Sequence, residues 1–558
     1  MKRPNFLFII TDQQRADHLG CYGNRVLRTP NIDALAKRGV RLDRHYVAMP
    51  ICMPNRATLV TGRMPSLHGV RHNGIELPLD CTTMPELLAD AGYRTALVGK
   101  SHLQNFTGVP AQYGPSSAQA GGGLVPAALG AARRGDLSAG HRQEDADSWA
   151  NPDFKMRLPY YGFQSVDLVT RHGDRCGGDY LRWARARDPE FATRVGRDKA
   201  LPAPGYTTRE GWRTQVPEEL YSTSYVAERT MERLRQFAGQ QHGHPHGQDA
   251  SDAPFFLYCS FPDPHHPWTP PGRYWGKYRP EDIALESAYW GDVQGSRWDP
   301  TQRTGLPHLD YYRDQRDRGA LQAAPASSIP VTGVYACSPR EAQEGISLTY
   351  CTLAMIDDAV GRITGELARL GLDRNTVIVY TSDHGDYMGD HQLMLKSSMH
   401  YQGLVRTPFI WSDPGITGGG TAATRTQLTG AIDVARTILA RAQVAPVDGM
   451  QGLDLNPLLH DTAQPTREAI LIEDEDHRTP GWLGLRSRTR TLVTDRHRLS
   501  IYRATGWGEL YDLTDDPLEL RNLWDEPAAA KLRSKLAERL VREMMDNVDT
   551  LPKPTRFA

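Results

Sequence analysis

Cys52, Pro54 and Arg56 stand in Cys-x-Pro-x-Arg spacing, and Thr61-Gly62-Arg63 closes the same stretch. A cysteine followed by a short helical run is usually a small buried hydrophobic residue. The residues after Pro54 predict a helix that ends at Gly62, which places Cys52 at or just before the helix N-terminus. Because free N–H groups at a helix N-terminus favour an anion, Cys52 is a candidate for chemistry on an anionic group.

Four apolar runs end in polar side chains, at points where we expect strands to end. These side chains are Asp12 with Gln13, Lys100 with His102, His265, and Asp383 with His384. Taken singly, an Asp at a strand end often caps a helix, and a lone His is often a satisfied core residue. The carboxyl ends of parallel strands share one edge of a sheet, where open α/β folds bind their ligands. We therefore expect these residues to lie together.

Four of these residues could hold a divalent metal ion. Asp12, Gln13 and Asp383 offer oxygen ligands, and His384 offers an imidazole. Two carboxylates would neutralise the charge of a divalent cation. An imidazole ligand suits manganese, iron or zinc better than calcium.

The elements that must position these residues predict a doubly wound α/β fold. Runs such as 5–11, 255–260 and 376–381 are continuously apolar, as expected of strands buried on both faces of a mostly parallel sheet. They alternate with helical patterns, the longest of which runs from 346 to 370. We predict that residues 1–455 form the large catalytic domain.

Two stretches within this domain lack clear periodicity and are predicted to be long insertions, at about 103–215 and 278–337. Within the first, Tyr160–Phe163 and His172–Asp174 stand out, but ordinary loop packing explains them at least as well. Beyond 455 the pattern changes to short β-like runs at 490–493, 498–502 and 509–513, then a helix at about 528–545. Residues 456–558 are therefore predicted to form a small C-terminal domain, an antiparallel sheet with a helix on it.

Composition restricts the partners and the compartment. The 558 residues include 65 Lys and Arg against 66 Asp and Glu, so no global field would draw the chain to nucleic acid or to an anionic membrane. The seven cysteines are scattered without Cys-x-x-Cys pairs, which argues against a disulfide framework or a zinc cluster. No apolar run reaches the roughly 18 residues that span a bilayer. We expect a cytoplasmic protein with a small-molecule or sugar-like partner.

The whole stretch from Pro50 to Arg63 resembles the signature of type I sulfatases in the alkaline phosphatase superfamily, whose signature cysteine is oxidised to formylglycine. The resemblance covers nearly the full length outside the insertions. Its supporting markers are Thr11-Asp12-Gln13, Gly99-Lys100-Ser101-His102, Pro264-His265, Ser382-Asp383-His384-Gly385, Lys396, Glu509–Leu513, Asp516-Pro517 and Asn522-Leu523.

The resemblance implies a role for each matching residue. Formylglycine at position 52 would bind the metal as its hydrate, and one hydroxyl of that hydrate would attack sulfur. Asp12, Gln13, Asp383 and His384 would complete the metal shell. Arg56 and His102 would hold and polarise the hydrate, and Lys100 and Lys396 would stabilise charge on the transferring group. His265 would protonate the leaving oxygen.

The same resemblance implies partners and a cofactor. It predicts one divalent metal ion, calcium or manganese, and a formylglycine-generating enzyme that acts during maturation. The substrate would be a sulfate monoester of a small molecule or a sugar. The chain is a possible homo-oligomer.

Three departures shape the prediction. Many sulfatases carry Asp in place of Gln13 and Asn in place of His384. The set in this chain, Asp12, Gln13, Asp383 and His384, is closer to that of choline-sulfatase-like enzymes and phosphonate monoester hydrolases. Asn55 replaces the commoner Ser or Ala of the signature. A phosphonate monoester or phosphodiester hydrolase and a non-catalytic metal-binding homologue therefore stay open. The pair Lys100 and His102 favours sulfate, because the phosphonate hydrolases compared carry uncharged hydroxyl residues there.

Overall fold

The computed structural model describes residues 3–107, 139–242, 253–285, 287–291, 306–319, 333–417, 422–460, 466–475, 488–503, 505–554 and 556. The described α-helices are Pro30–Lys37, Cys52–Thr61, Pro65–His68, Met84–Asp90, Ala146–Ala150, Asp179–Arg187, Ser222–His242, Ser287–Trp290, Pro307–Asp317, Pro339–Arg369, Gln402–Val405, Pro414–Thr417, Ala431–Arg441, Asn456–His460 and Ala530–Asp546. The described strands are β1 (Asn5–Thr11), β2 (Val40–Leu42), β3 (His45–Tyr46), β4 (Arg94–Gly99), β5 (Ser165–Thr170), β6 (Gly177–Gly178), β7 (Phe255–Ser260), β8 (Tyr335–Ala336), β9 (Thr376–Ser382), β10 (Leu393–Met394), β11 (Phe409–Ser412), β12 (Ala423–Arg425), β13 (Thr429–Gly430), β14 (Ala469–Glu475), β15 (Arg488–Thr494), β16 (His497–Tyr502) and β17 (Gly508–Asp512).

Nine strands form the main sheet, in the order β12-β2-β11-β9-β1-β7-β4-β5-β6. Its central strands, β9, β1, β7, β4 and β5, are all parallel. Every residue of β1, β7 and β9 is buried, because helices cover both faces of the sheet. This confirms the predicted fold class.

Alternate side chains of the central strands pack into two separate cores. Leu7 and Ile9 face the long helix Pro339–Arg369 and the helix Ser222–His242. Phe6, Phe8 and Ile10 face the other side, where the helix Ala431–Arg441 packs. The period of two in β1 therefore divides one apolar run between two helical layers.

The long helix begins at Pro339, seven residues before the predicted start at Ile346. Ser338 and Glu341 form a capping box, and Pro339 occupies the first turn. The first two turns are polar, so hydrophobic periodicity did not reveal them. The capping residues were the sequence signal for the true start.

The C-terminal sheet has the strand order β14-β15-β16-β17, and all its neighbouring pairs are antiparallel. The three predicted strands and the final helix are confirmed, with β14 added before them. Leu536 and Leu540 of the final helix pack against this sheet. Its other face packs on the main body through residues that include Tyr46, Met399 and Tyr401.

Part of the first predicted insertion belongs to the main sheet, since β5 pairs with β4 and β6 pairs with β5. The boundary at 455 stays a prediction. Among the described residues, none of the helices combines the length and the apolar character needed to cross a membrane.

Candidate active site

The register of the central strands places the predicted site residues at one sheet edge. Thr11 lies opposite Ser382, so Asp12 and Asp383 are the first residues after the paired ends of two neighbouring strands. Gly99 lies opposite Ser260, and the Lys100 N–H donates to the Ser260 carbonyl at 3.0 Å. The expectation that these strand ends meet is confirmed.

The signature helix brings Cys52 to this edge. The helix begins at Cys52, which confirms the predicted place of Cys52 at the helix N-terminus, and ends at Thr61, with Gly62 following in the left-handed conformation at φ of 64°. Asn55 explains part of this placement: its side-chain amide donates to the Asp383 carbonyl at 2.6 Å and accepts the Ala48 N–H at 2.9 Å. The side chain at this variable signature position therefore ties the helix to the Asp383 strand end.

Four buried side chains offer ligand atoms to one point. Atoms of Asp12, Cys52, Asp383 and His384 all lie within 4.8 Å of one another. The Cys52 Sγ lies 3.2 Å from His384 Nε2 and 3.7 Å from Asp12 Oδ1. His384 Nδ1 faces the Gly385 carbonyl at 2.8 Å, which can only accept. The Nδ1 therefore carries the proton, and the Nε2 lone pair faces the cluster.

Gln13 completes the predicted ligand set. Its backbone has φ of 62°, and its N–H donates to Asp383 Oδ1 at 3.1 Å. Its side-chain Nε2 donates to Asp386 and lies 3.1 Å from His266 Nδ1. Since the amide nitrogen faces these two residues, the amide oxygen is left for the cluster. Burial raises the pKa of Asp386 to about 6.

The Lys396 ammonium lies among the predicted ligand atoms. Its Nζ is 2.9 Å from Gln13 Oε1, 3.2 Å from Cys52 Sγ and 3.0 Å from His384 Nε2. The cluster therefore accommodates a positive charge. Two carboxylates, an amide oxygen and an imidazole fit a divalent cation that prefers oxygen and nitrogen ligands.

Arg56 is fully buried and ties the two carboxylates to the sheet edge. Its Nε donates to Asp383 Oδ2 at 2.7 Å, and its Nη2 lies 3.5 Å from Asp12 Oδ2. Its Nη1 donates to the Lys100 carbonyl and to Ser260 Oγ, each at 2.9 Å. Burial alone would lower the pKa of Arg56, but Asp383 and Asp12 raise it above the ordinary range. The guanidinium therefore stays charged.

Lys100 and His265 approach the cluster from the other side. Lys100 Nζ donates to Asp12 Oδ2, while His265 Nε2 lies 3.0 Å from Lys396 Nζ. Burial would raise the pKa of Asp12, but Lys100, His265 and Arg56 hold it well below its ordinary value. Asp12 is thus a buried carboxylate surrounded by cationic and imidazole groups.

The sulfatase family model matches residues 4–444. The chain belongs to the sulfatase family. A model of the C-terminal part of N-sulphoglucosamine sulphohydrolase matches residues 389–546. These matches confirm the resemblance carried by the Cys52 and Asp383 motifs.

Relatives and solved structures cover nearly the whole chain. An arylsulfatase of Clostridium perfringens is 26% identical over 97% of this chain and 94% of its own. A phosphonate monoester hydrolase of Agrobacterium radiobacter shares the fold with a TM-score of 0.72, at 24% identity over 98% of this chain and 96% of that one. A structure in complex with its substrate D-glucosamine-2-N,6-O-disulfate has a TM-score of 0.65 at 19% identity, over all of both chains.

The sulfatase site therefore brings together nine of the ten predicted residues in direct contact. These are Asp12, Gln13, Cys52, Arg56, Lys100, His265, Asp383, His384 and Lys396. The roles assigned to them stay predictions.

His102 is the tenth residue, and burial together with the nearby charge of Lys100 lowers the pKa of its imidazole well below the ordinary value. Its ring stacks on Phe106 with centroids 3.9 Å apart, and among the described residues no hydrogen bond joins that ring to Cys52. Its backbone has φ of 57° and is held by the buried Glu144 carboxylate. That carboxylate accepts N–H bonds from His102 and Leu103 at 3.0 Å each and from Gln104 at 3.2 Å.

Sequence reasoning gave no site role to three residues around this site, although it noted that His172 stands out. Asp386 follows the Asp383 motif directly, and Glu144 lies in the first predicted insertion, which lacks clear periodicity. His172 follows β5 and lies 2.7 Å from Lys100 Nζ. The sequence signal for His172 was its position after a strand, but β5 itself was not predicted.

Proposed function

We propose that this sulfatase hydrolyses sulfate monoesters at the site around Cys52. The observation that carries the proposal is the placement of Cys52, at the start of the signature helix and within 3.2 Å of His384 Nε2 and of Lys396 Nζ. A nucleophile formed at this position would face both the predicted metal ligands and the lysine ammonium groups. That arrangement suits attack on a sulfuryl group carrying negative charge.

The proposal includes oxidation of the Cys52 thiol to formylglycine by a generating enzyme during maturation. Asp12, Gln13, Asp383, His384 and the modified residue 52 would hold one divalent metal ion, calcium or manganese. When bound, such an ion supplies Lewis-acid stabilisation of developing negative charge. In the structure residue 52 is an unmodified cysteine, and its Sγ shows the position from which the formylglycine would act.

Lysines and a histidine would act on the transferring group. Lys100 and Lys396 place two ammonium groups beside the cluster, where they would bind the sulfuryl oxygens. His265 Nδ1 donates to the His266 carbonyl, which leaves Nε2 facing Lys396. Nε2 accepts from the Lys396 ammonium and is therefore the atom that would first take up a proton and then pass it to the leaving oxygen.

A sugar or small-molecule sulfate ester is the proposed substrate. Supporting it, curated relatives include an N-acetylglucosamine-6-O-sulfatase of Bacteroides thetaiotaomicron and a choline-sulfatase of Rhizobium meliloti. All seven cysteines are free thiols, which supports the proposed cytoplasmic location.

A phosphonate monoester or phosphodiester hydrolase is the second candidate. The Asp12, Gln13, Asp383 and His384 set favours it as much as it favours a choline-sulfatase-like enzyme. A sulfate monoester, a phosphonate monoester and a phosphodiester all carry one negative charge, so charge around the site does not separate them. The pair Lys100 and His102 favours sulfate.

The test compares specificity constants for aryl sulfate, choline sulfate, sugar sulfate, phosphonate monoester and phosphodiester substrates, using protein coexpressed with a formylglycine-generating enzyme. We expect the highest value for a sulfate ester. If a phosphonate monoester or phosphodiester exceeds every sulfate ester, the second candidate replaces the first.

Mass spectrometry of the peptide containing Cys52 tests the chemistry separately. We expect the mass loss that accompanies conversion of a thiol to an aldehyde. A Cys52→Ser variant prepared identically is the matched control and should lack turnover. An active preparation that carries only the unmodified thiol contradicts the mechanism.

A further inference from the structure

His172 follows the end of β5 and lies against three residues of the sulfatase site. Its Nε2 lies 2.7 Å from Lys100 Nζ and 3.7 Å from Asp12 Oδ2. Its ring stacks on the His265 ring with centroids 3.6 Å apart and planes 10° apart. Its side chain is 16% exposed, whereas those of Lys100 and Asp12 are 0% exposed. His172 therefore lies on the side of the site that opens to solvent.

The chemistry of the contact fixes the direction of the hydrogen bond. An ammonium group has three donors and no acceptor, so the His172 Nε2 must accept from Lys100. Lys100 thus divides its donors between the Asp12 carboxylate and the His172 imidazole. Without His172, the only described side-chain acceptor for the Lys100 ammonium would be Asp12.

The stack with His265 gives His172 a second function. Two nearly parallel rings in van der Waals contact restrict each other's rotation. His265 Nε2 faces Lys396 while His172 Nε2 faces Lys100, so the stack holds two imidazole and ammonium pairs side by side. Both pairs lie beside Cys52 and the predicted metal ligands.

We propose that His172 is a positioning residue of the active site, which directs the Lys100 ammonium and fixes the ring plane of His265. The inference rests on the proposed function, because those two residues would face the transferring sulfuryl group and the leaving oxygen. A displacement of about 1 Å in such groups lowers turnover by about a hundredfold.

Asp12, His172 and His265 could instead hold a second metal ion, because their ligand atoms lie within 4.8 Å of one another. The geometry favours the positioning role. The stacked rings present their Nε2 atoms to two different lysines rather than to one point, and Lys100 Nζ lies between Asp12 and His172. A second metal site is therefore an outcome that the experiment must exclude.

The experiment compares His172→Ala and His172→Gln with His497→Ala in the full chain carrying formylglycine. His497 is a matched control, since its side chain is 17% exposed and its Nε2 lies 3.8 Å from Asp512 Oδ2 in the C-terminal sheet. We expect His172→Ala to lower kcat by about 10- to 100-fold with a smaller change in KM. His172→Gln keeps an acceptor and should recover part of that loss, and added imidazole should partly restore His172→Ala.

Three results would overturn the inference. The first is a kcat for His172→Ala within twofold of that for His497→Ala. The second is a loss of kcat that neither His172→Gln nor added imidazole reduces. The third is a metal content of two ions per wild-type chain that falls to one in His172→Ala. Calorimetric binding of inorganic sulfate separates this inference from the proposed function, because it needs no turnover. If the wild type hydrolyses no sulfate ester while His172→Ala still weakens sulfate binding about tenfold, the function fails and the positioning role stands.

Discussion

Asp474 is a carboxylic acid buried between the C-terminal sheet and the main body, and its removal should change how stability depends on pH. Neither of its oxygens has a hydrogen-bond partner among the described residues, and the imidazole Nε2 of His400 lies 3.5 Å from Oδ2. Burial raises the pKa of Asp474 to about 7, against the opposing effect of Arg490. Burial also lowers the pKa of His400 to about 3, so His400 is neutral above pH 5.

The size of the effect follows from the two pKa values. Asp474 has a pKa of 3.8 when unfolded and about 7 when folded. Between these values the folded chain holds a proton that the unfolded chain has released, so the free energy of unfolding falls as pH rises. The full difference corresponds to roughly 4 kcal/mol, of which roughly 2 to 3 kcal/mol accrues between pH 5 and pH 8.

Asp474→Asn removes this titration. We expect the variant to gain about 2 kcal/mol in unfolding free energy over the wild type on going from pH 5 to pH 8, measured by guanidinium unfolding at constant ionic strength. The control is Asp512→Asn, whose carboxylate pairs with Arg496 and has a lowered pKa, so it should show no such gain. If Asp474→Asn differs from the wild type by the same amount at both pH values, the protonation state assigned to Asp474 is wrong.

Three further substitutions test the site itself. Asp383→Ala removes a carboxylate from the predicted metal site and should lower kcat by about a thousandfold, since metal-ion stabilisation of the transition state contributes several kcal/mol. Elemental analysis should show less bound metal, while the circular dichroism spectrum should be unchanged. Arg56→Ala leaves the Asp383 carboxylate buried without its guanidinium partner and should lower the free energy of unfolding by about 3 to 5 kcal/mol. The melting temperature should fall strongly, whereas the exposed control Arg273→Ala should leave it unchanged. Glu144→Gln would turn amide N–H groups towards backbone N–H donors, so both kcat and the melting temperature should fall while the metal content is retained. If kcat and the melting temperature were unchanged, the carboxylate would not hold the His102 backbone.

The parallel sheet was predictable because its central strands are buried on both faces. Such strands leave continuous apolar runs in the sequence, as in β1, β7 and β9. The short strands β2 and β12 carry Arg41 and Arg425, so the sequence gives little sign of them. The order of the nine strands depends on long-range packing, which no local pattern specifies.

The contacts inside the site were predictable only in part. A strand-end rule and the family resemblance selected residues that do meet, since the parallel register fixes where each strand ends. The side-chain directions were not predictable. Gln13 and His102 adopt positive φ values of 62° and 57°. Buried carboxylates hold both residues, since Asp386 accepts from the Gln13 side chain and Glu144 accepts from the His102 N–H. Glu144 lies far from His102 in the sequence, and Asp386 follows the Asp383 motif without belonging to it.

His172 shows why apolar runs alone miss functional residues on outer strands. Asp167 lies within β5 and pairs with Arg229 and Arg233 on a neighbouring helix, so the strand does not read as an apolar run. The strand-end rule could therefore not be applied to the residue that follows it. Yet β5 is parallel to β4, and its carboxyl end reaches the same edge as Lys100. Because ligands of an open α/β sheet bind outside the carboxyl ends of its strands, residues after a partly exposed strand such as β5 should be weighed equally with those after apolar strands.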